Sequence, residues 1–209
     1  MKFKAKYYHL FWFFMLGNVL GVIIEGIYCC FAYGEWRTHT TFLWGWFNIV
    51  YGLGAIVVYI VSVLVQKYNA FIKFLAFTVS ATLLELILGL FAQYVLNTKA
   101  WTYEFMTIGE HISVPFSLAW GILGTLFAQY VLPLLDKLFA KMQGKAFVVI
   151  SNICIVFMVI NLFASLAVQY RWGQRPYKPV PTNAVERFID EHYPDEYLEQ
   201  WFNNWKRRA

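Results

Sequence analysis

Three stretches of this chain contain no Asp, Glu, Lys or Arg: Thr38 to Gln66, Ile112 to Leu135 and Ala146 to Tyr170. Each is longer than the ~20 apolar residues a helix needs to cross the hydrocarbon of a bilayer. Two more runs, about 8–31 and 71–96, qualify if a glutamate inside each, Glu25 and Glu85, is tolerated. Hydrocarbon offers backbone groups no water, so a spanning segment must satisfy them internally as a helix. The expected fold is therefore all-α: a polytopic membrane helical bundle of about five transmembrane helices, near 8–31, 42–65, 71–96, 112–135 and 146–170. Composition agrees, since 60% of the residues are hydrophobic and only 14% charged, against roughly 25% charged in soluble domains. The first run is too long for the apolar region of a cleaved leader and no small-x-small site follows it, so it is expected to remain as a helix.

Cation placement predicts the orientation. Lys2, Lys4 and Lys6 precede the first helix, Lys67 and Lys73 join the second to the third, and Lys137, Lys141 and Lys145 join the fourth to the fifth; only Arg37 and Lys99 lie in the loops between. Positively charged loops stay in the cytoplasm, which places the amino terminus inside and, after five crossings, the tail outside. Arg171, Arg175 and Lys178 run against this bias. The net charge of +5 follows from topology and implies no nucleic-acid partner. Cys29, Cys30 and Cys154 have no paired or metal-ligand spacing and read as small buried apolar residues.

Glu25 and Glu85 stand out, because a charge at the centre of a spanning helix costs roughly 2.5–3.5 kcal/mol on insertion scales. Small residues share their faces at four-residue spacing: Gly17 and Gly21 with Glu25, Ala81 and Gly89 with Glu85, and Ser113, Ser117, Gly121 and Thr125 on the fourth helix. Faces of this kind let membrane helices pack closely, so both carboxyls are expected to point into the bundle or at a partner. Glu25 could pair with Asn48, joined by Asn18 or Tyr51, and Glu85 with Ser117 or Ser113. Such bonds either fasten helices together or form a substrate, ion or proton site, and the sequence leaves both open.

A weak internal repeat accompanies the glutamates. Gly21, Glu25, Trp36-Arg37, Asn48 and Tyr51-Gly52-Leu53-Gly54 correspond to Ala81, Glu85, Trp101-Thr102-Tyr103, Ser117 and Trp120-Gly121-Ile122-Leu123-Gly124. This describes either chance likeness between aromatic-rich hairpins or two parallel hairpin repeats of the kind found in transporters.

Glu104, Glu110 and His111 gather before the fourth helix, but their spacing fits no metal motif and a solvated loop accounts for them. No metal or other cofactor is expected. The chain has no zinc-binding His-Glu-x-x-His, no Ser/His/Asp set and no phosphate-cradling loop, so it is not expected to be an enzyme or to hydrolyse ATP. After residue 170 the character changes to a polar tail, 171–209. A stiff linker, Arg175 to Pro181, precedes a capping box at Asn183 and Glu186. A second short helix is expected from Asp195, with Tyr197, Leu198, Trp201, Phe202 and Trp205 on one side, facing either the membrane interface or the protein's own outer loops.

The pattern resembles a family of small bacterial integral-membrane proteins, mostly Gram-positive, described as ABC-transporter type IV permeases. The resemblance is carried by Gly21-x-x-x-Glu25, Tyr51-Gly52-Leu53-Gly54-Ala55, Glu85, Trp101-x-Tyr103, the run Ile112 to Gly121, and Phe188 to Tyr193-Pro194-Asp195. It departs at Asn48-Ile49-Val50, where a proline-containing segment is expected. The resemblance implies a permease-like subunit in a bacterial plasma membrane. The bilayer, a separate cytoplasmic ATPase and further copies of the chain are its implied partners. The rival reading is a membrane-embedded binding, sensing or scaffold subunit with no transport cycle.

Overall fold

The computed structural model describes residues 5–101, 103, 105–203 and 205–207. It is an all-α bundle. Helices α1 (Tyr7–Tyr33), α2 (Ile49–Leu64), α3 (Ala70–Tyr94) and α4 (Val114–Leu126) are followed by a π-helical turn, Phe127–Val131. The same rod continues as α5 (Leu132–Lys141), and α6 (Lys145–Gln174) then leads to two short helices, α7 (Ala184–His192) and α8 (Asp195–Trp201). Among the described residues, four helices are long and apolar enough to cross a membrane: Tyr7–Tyr33, Ala70–Tyr94, Val114–Lys141 and Lys145–Gln174. Their outer faces carry exposed Ile24, Phe31, Ile87, Leu134, Ile153 and Phe163, as suits a lipid-facing surface.

The second helix corrects the expectation. It has 16 residues, about 24 Å at 1.5 Å per residue, and 42–48 are not helical. Asn48 ends the irregular stretch as an N-cap, its side chain accepting from Val50 N at 2.9 Å. Before it, His39 (φ 45°) and Gly45 (φ 89°) take left-handed backbone conformations that a continuous helix excludes. The residues expected to lengthen α2 instead belong to an irregular loop in which Thr40, Phe42 and Leu43 are each at most 3% exposed while Trp44 and Trp46 face outward.

Two buried clusters sit at opposite ends of the bundle. Phe13, Tyr59, Leu132, Leu135 and Phe139 pack at the end where the chain begins. Leu43, Leu96, Trp172, Leu198, Phe202 and Trp205 belong to the cluster at the other end. The aromatic face of the tail thus packs on the protein's own loops, with Leu198 and Phe202 fully buried and Trp201 Nε1 donating to Phe42 O at 2.8 Å. The last strand, β4 (Lys206–Arg207), pairs antiparallel with β1 (Thr98–Lys99). A second short pair, β2 (Thr107–Ile108) with β3 (Ile112–Ser113), forms the hairpin that enters α4. Gly173 is required where α6 crosses this end, because a Cβ there would lie 1.8 Å from Leu96 O. Of the cysteines, Cys29 is buried, Cys154 is half-buried and Cys30 faces outward.

The tail cations that oppose the charge bias are taken up internally. Arg171, 2% exposed, donates to Asp190 and to the linker carbonyls of Lys178 and Pro179. Arg175 bridges Asp190 and Asp195, and Arg207 also reaches Asp195. Lys178 pairs with Glu186 at 3.3 Å, and Asn183 caps α7 through Glu186 N as its sequence predicts. Burial tends to raise the Asp190 carboxyl, but hydrogen bonds from Arg171 and Arg175 outweigh it and hold the group below its ordinary value. A depressed carboxyl stabilises the fold above its unfolded pKa of about 3.9 and loses that contribution as pH falls through the folded value. The tail should resist proteolysis at the linker from pH 8 to 5 and begin to loosen only as pH falls below about 4, toward the depressed folded value.

Candidate functional site: paired intramembrane carboxylates

Glu25 lies eight residues before the end of α1 and Glu85 nine before the end of α3, which sets both roughly 12–14 Å inside the helix termini. Each is held by an aromatic donor on the returning helix of its own hairpin. Tyr51 OH donates to Glu25 Oε2 at 2.6 Å, and Trp120 Nε1 donates to Glu85 Oε1 at 3.1 Å. Tyr51 and Trp120 hold matching places in the two sequence units, each directly before a glycine.

Packing follows the same correspondence. A methyl group at Gly52 would fall on Phe14 and Asn18, and one at Gly121 on Phe74 and Thr78. Sixty positions separate Glu25 from Glu85, Asn18 from Thr78 and Phe14 from Phe74, and 69 separate Tyr51 from Trp120 and Gly52 from Gly121. Gly17 meets Ala55 while Phe77 meets Gly124, so that matched pair is small on small in the first hairpin and large on small in the second. Repeated contacts of this detail make the two hairpins structural repeats.

The two sites differ in how far they are closed. Glu85 is 7% exposed and its Oε1 takes a second donor, Tyr103 OH, at 2.9 Å. Its Oε2 and the hydroxyl of Ser117 are buried without a hydrogen-bond partner among the described residues. The Glu25 side chain is 27% exposed, with His39 Nε2 3.5 Å from Oε1. Trp36 folds back along α1 so that its indole covers Gly26.

Of the residues expected to join the carboxyls, only Tyr51 does so. Asn48 donates to His39 O at 2.6 Å and so fixes the loop that delivers His39. Asn18 donates to Phe14 O within its own helix. Ser113 donates to Phe105 O, and Ser117 packs in the α4 face without bonding Glu85. Gly17, Gly21 and Gly121 lie in helix contacts, Gly21 against the Tyr51 ring, whereas Gly89 makes room for His111. That imidazole bonds Gln93, and Glu110 pairs with Lys99 at 2.8 Å. Glu104 lies outside the described residues. Among the described residues no group of three His, Cys, Asp or Glu side chains is placed to hold a metal ion.

A polar stripe on α6, not singled out in the sequence, builds the wall behind the Glu25 loop. Asn161, Ser165 and Gln169 recur every fourth residue in an otherwise apolar helix, so they share one face. Asn161 exchanges two hydrogen bonds with the Trp44 backbone, at 3.2 and 2.8 Å. Ser165 accepts from Leu43 N at 2.8 Å and Gln169 donates to Thr41 O at 2.7 Å. These bonds let non-helical backbone enter the bundle, because irregular chain at membrane depth must be satisfied by protein.

Apolar spans, hairpin repeats and intramembrane carboxylates describe a transport-type membrane protein, and the comparison with known families gives the same answer. A family model described as Putative ABC-transporter type IV matches residues 12–166. The chain belongs to that family. The match takes in both repeats and most of α6. No curated protein and no solved structure matches the chain.

Proposed function

We propose that this chain is the permease-like membrane subunit of a bacterial transport system, that it resides in the plasma membrane with its amino terminus in the cytoplasm, and that a separate ATPase supplies the energy. One observation carries the proposal: two carboxyls at equivalent repeat positions, each held by an aromatic donor at the matching place on the returning helix. Purely structural polar contacts between membrane helices contribute only about 0.6 kcal/mol on average and need no ionisable group. Family membership supports the transport reading. In it, nucleotide chemistry belongs to the partner and the repeats form the path.

The ATPase would dock where Lys6, Gln143, Gly144 and Lys145 line a common cleft, alongside the α2–α3 loop. Crosslinkers placed in the Lys67 to Lys73 and Asp136 to Lys145 segments should capture a nucleotide-binding protein from native membranes. Glu25→Gln and Glu85→Gln keep the hydrogen-bond acceptors, so each should shift the melting temperature by less than about 4 °C, equivalent to ~1 kcal/mol. Each should also uncouple the captured ATPase, leaving it at its basal rate. Two folded, fully coupled Gln variants and an empty crosslink would leave a binding or scaffold subunit instead.

A further inference from the structure

Thr38 stands where the second repeat has Tyr103, if Trp36 is matched with Trp101 as the sequence units match them. The second repeat closes its carboxyl with two donors; the first lacks the second phenol and presents a half-buried carboxyl instead. Indole surface lies next to that opening. Trp36 covers the residue after Glu25, and Trp46 lies 6.2 Å from it, centroid to centroid, with both indoles at least 40% exposed. Ile24 and Tyr28, on the same stretch of α1, are more than half exposed to the apolar surroundings.

These features select by charge and by polarity. An anion would meet the carboxyl with no free guanidinium to receive it, since Arg37 is paired with Glu35 and stacked over Tyr33. For a bare metal ion, no group of three His, Cys, Asp or Glu side chains gathers at this carboxyl among the described residues. A cation with an apolar body meets every requirement: its charge pairs with Glu25, its body rests on hydrocarbon-facing side chains, and indoles attract cations through their π faces. The geometry points to Glu25 as the binding residue for a lipophilic organic cation, a quaternary or protonated amine or its phosphonium analogue, entered from the bilayer side. This inference rests on the transport reading and names its substrate class. Glu85 is the closed, positioning counterpart.

Tetraphenylphosphonium is the probe, with the full chain in nanodiscs. Saturable binding, read by equilibrium dialysis and by quenching of tryptophan fluorescence, is expected for the wild type and for Glu25→Asp. Glu25→Gln should weaken it at least tenfold and Trp36→Leu severalfold, while Ile160→Leu, on an exposed face of α6, stays within twofold. A second measurement needs no variant. A hydrophobic carbodiimide should modify Glu25 and spare Glu85, by peptide mass, and tetraphenylphosphonium should protect Glu25. Equal binding by wild type and Glu25→Gln would mean partition into lipid, and labelling of Glu25 that the cation does not slow would equally overturn the assignment. Neither readout involves an ATPase, so a failure here is separate from a failure of the transport reading.

Discussion

Asp190→Ala should destabilise the protein by about 3–5 kcal/mol, the usual cost of stranding a buried charge. Arg171 is 2% exposed and directs two of its nitrogens at Asp190. Removing the carboxylate leaves the guanidinium with the Lys178 and Pro179 carbonyls and no counter-charge. Arg175 suffers less, because it keeps Asp195 and the Tyr193 carbonyl. The melting temperature should fall on the order of 10 °C, and the linker between α6 and α7 should become the first site of proteolysis at neutral pH. The double variant Arg171→Met with Asp190→Leu separates charge from contact. Replacing a buried pair by apolar residues of similar volume is often neutral, so the double variant should recover most of the loss. If Asp190→Ala melts like the wild type, the ion pair is not what holds the tail.

The spans were legible because transfer energy is summed over many residues and tolerates local error. That summation is also why the irregular loop was hidden. Thr38 to Asn48 is as uncharged as a helix, and hydropathy does not distinguish a helix that satisfies its own backbone from a loop satisfied by Asn161, Ser165 and Gln169. The four-residue recurrence of those amides and hydroxyl was the available sign. Tyr51 is legible only as one of several polar candidates for Glu25, beside Asn48 and Asn18, which bond elsewhere. The partners of Glu85 are less legible, because serine hydroxyls and an indole N–H are equally possible donors and only the correspondence of Trp120 with Tyr51 singles out the indole. In the tail, amphipathicity showed that Leu198 and Phe202 are covered; only the packing shows that Leu43 and Trp172, in place of lipid, belong to the cluster that covers them. The ion pairs that neutralise Arg171 and Arg175 span 15 to 20 residues of chain, beyond the reach of local pattern.

Asn161→Leu should be the most damaging single change within the bundle. The asparagine satisfies both the N–H and the C=O of Trp44 and is itself fully buried. Leucine fits a spanning helix by polarity and nearly by volume, so α6 should still form and insert. The loop, however, would hold two backbone groups stripped of their partners, each costing up to about 1–3 kcal/mol, for a total of up to ~2–6 kcal/mol. Hydrogen–deuterium exchange should show this locally, with faster exchange of the Leu43 and Trp44 amides while α3 and α4 keep their protection. Gln169→Leu, which strands only the Thr41 carbonyl, should cost less. Ile160→Leu, on the exposed neighbouring face, should change nothing measurable. The consequence reaches Glu25, because the same loop carries Trp36 and His39 to that carboxyl. A loosened loop should therefore reduce tetraphenylphosphonium affinity without touching the residue that binds it. If exchange at Trp44 is unchanged in Asn161→Leu, the polar stripe does not hold the loop, and the wall behind Glu25 must be built by other contacts.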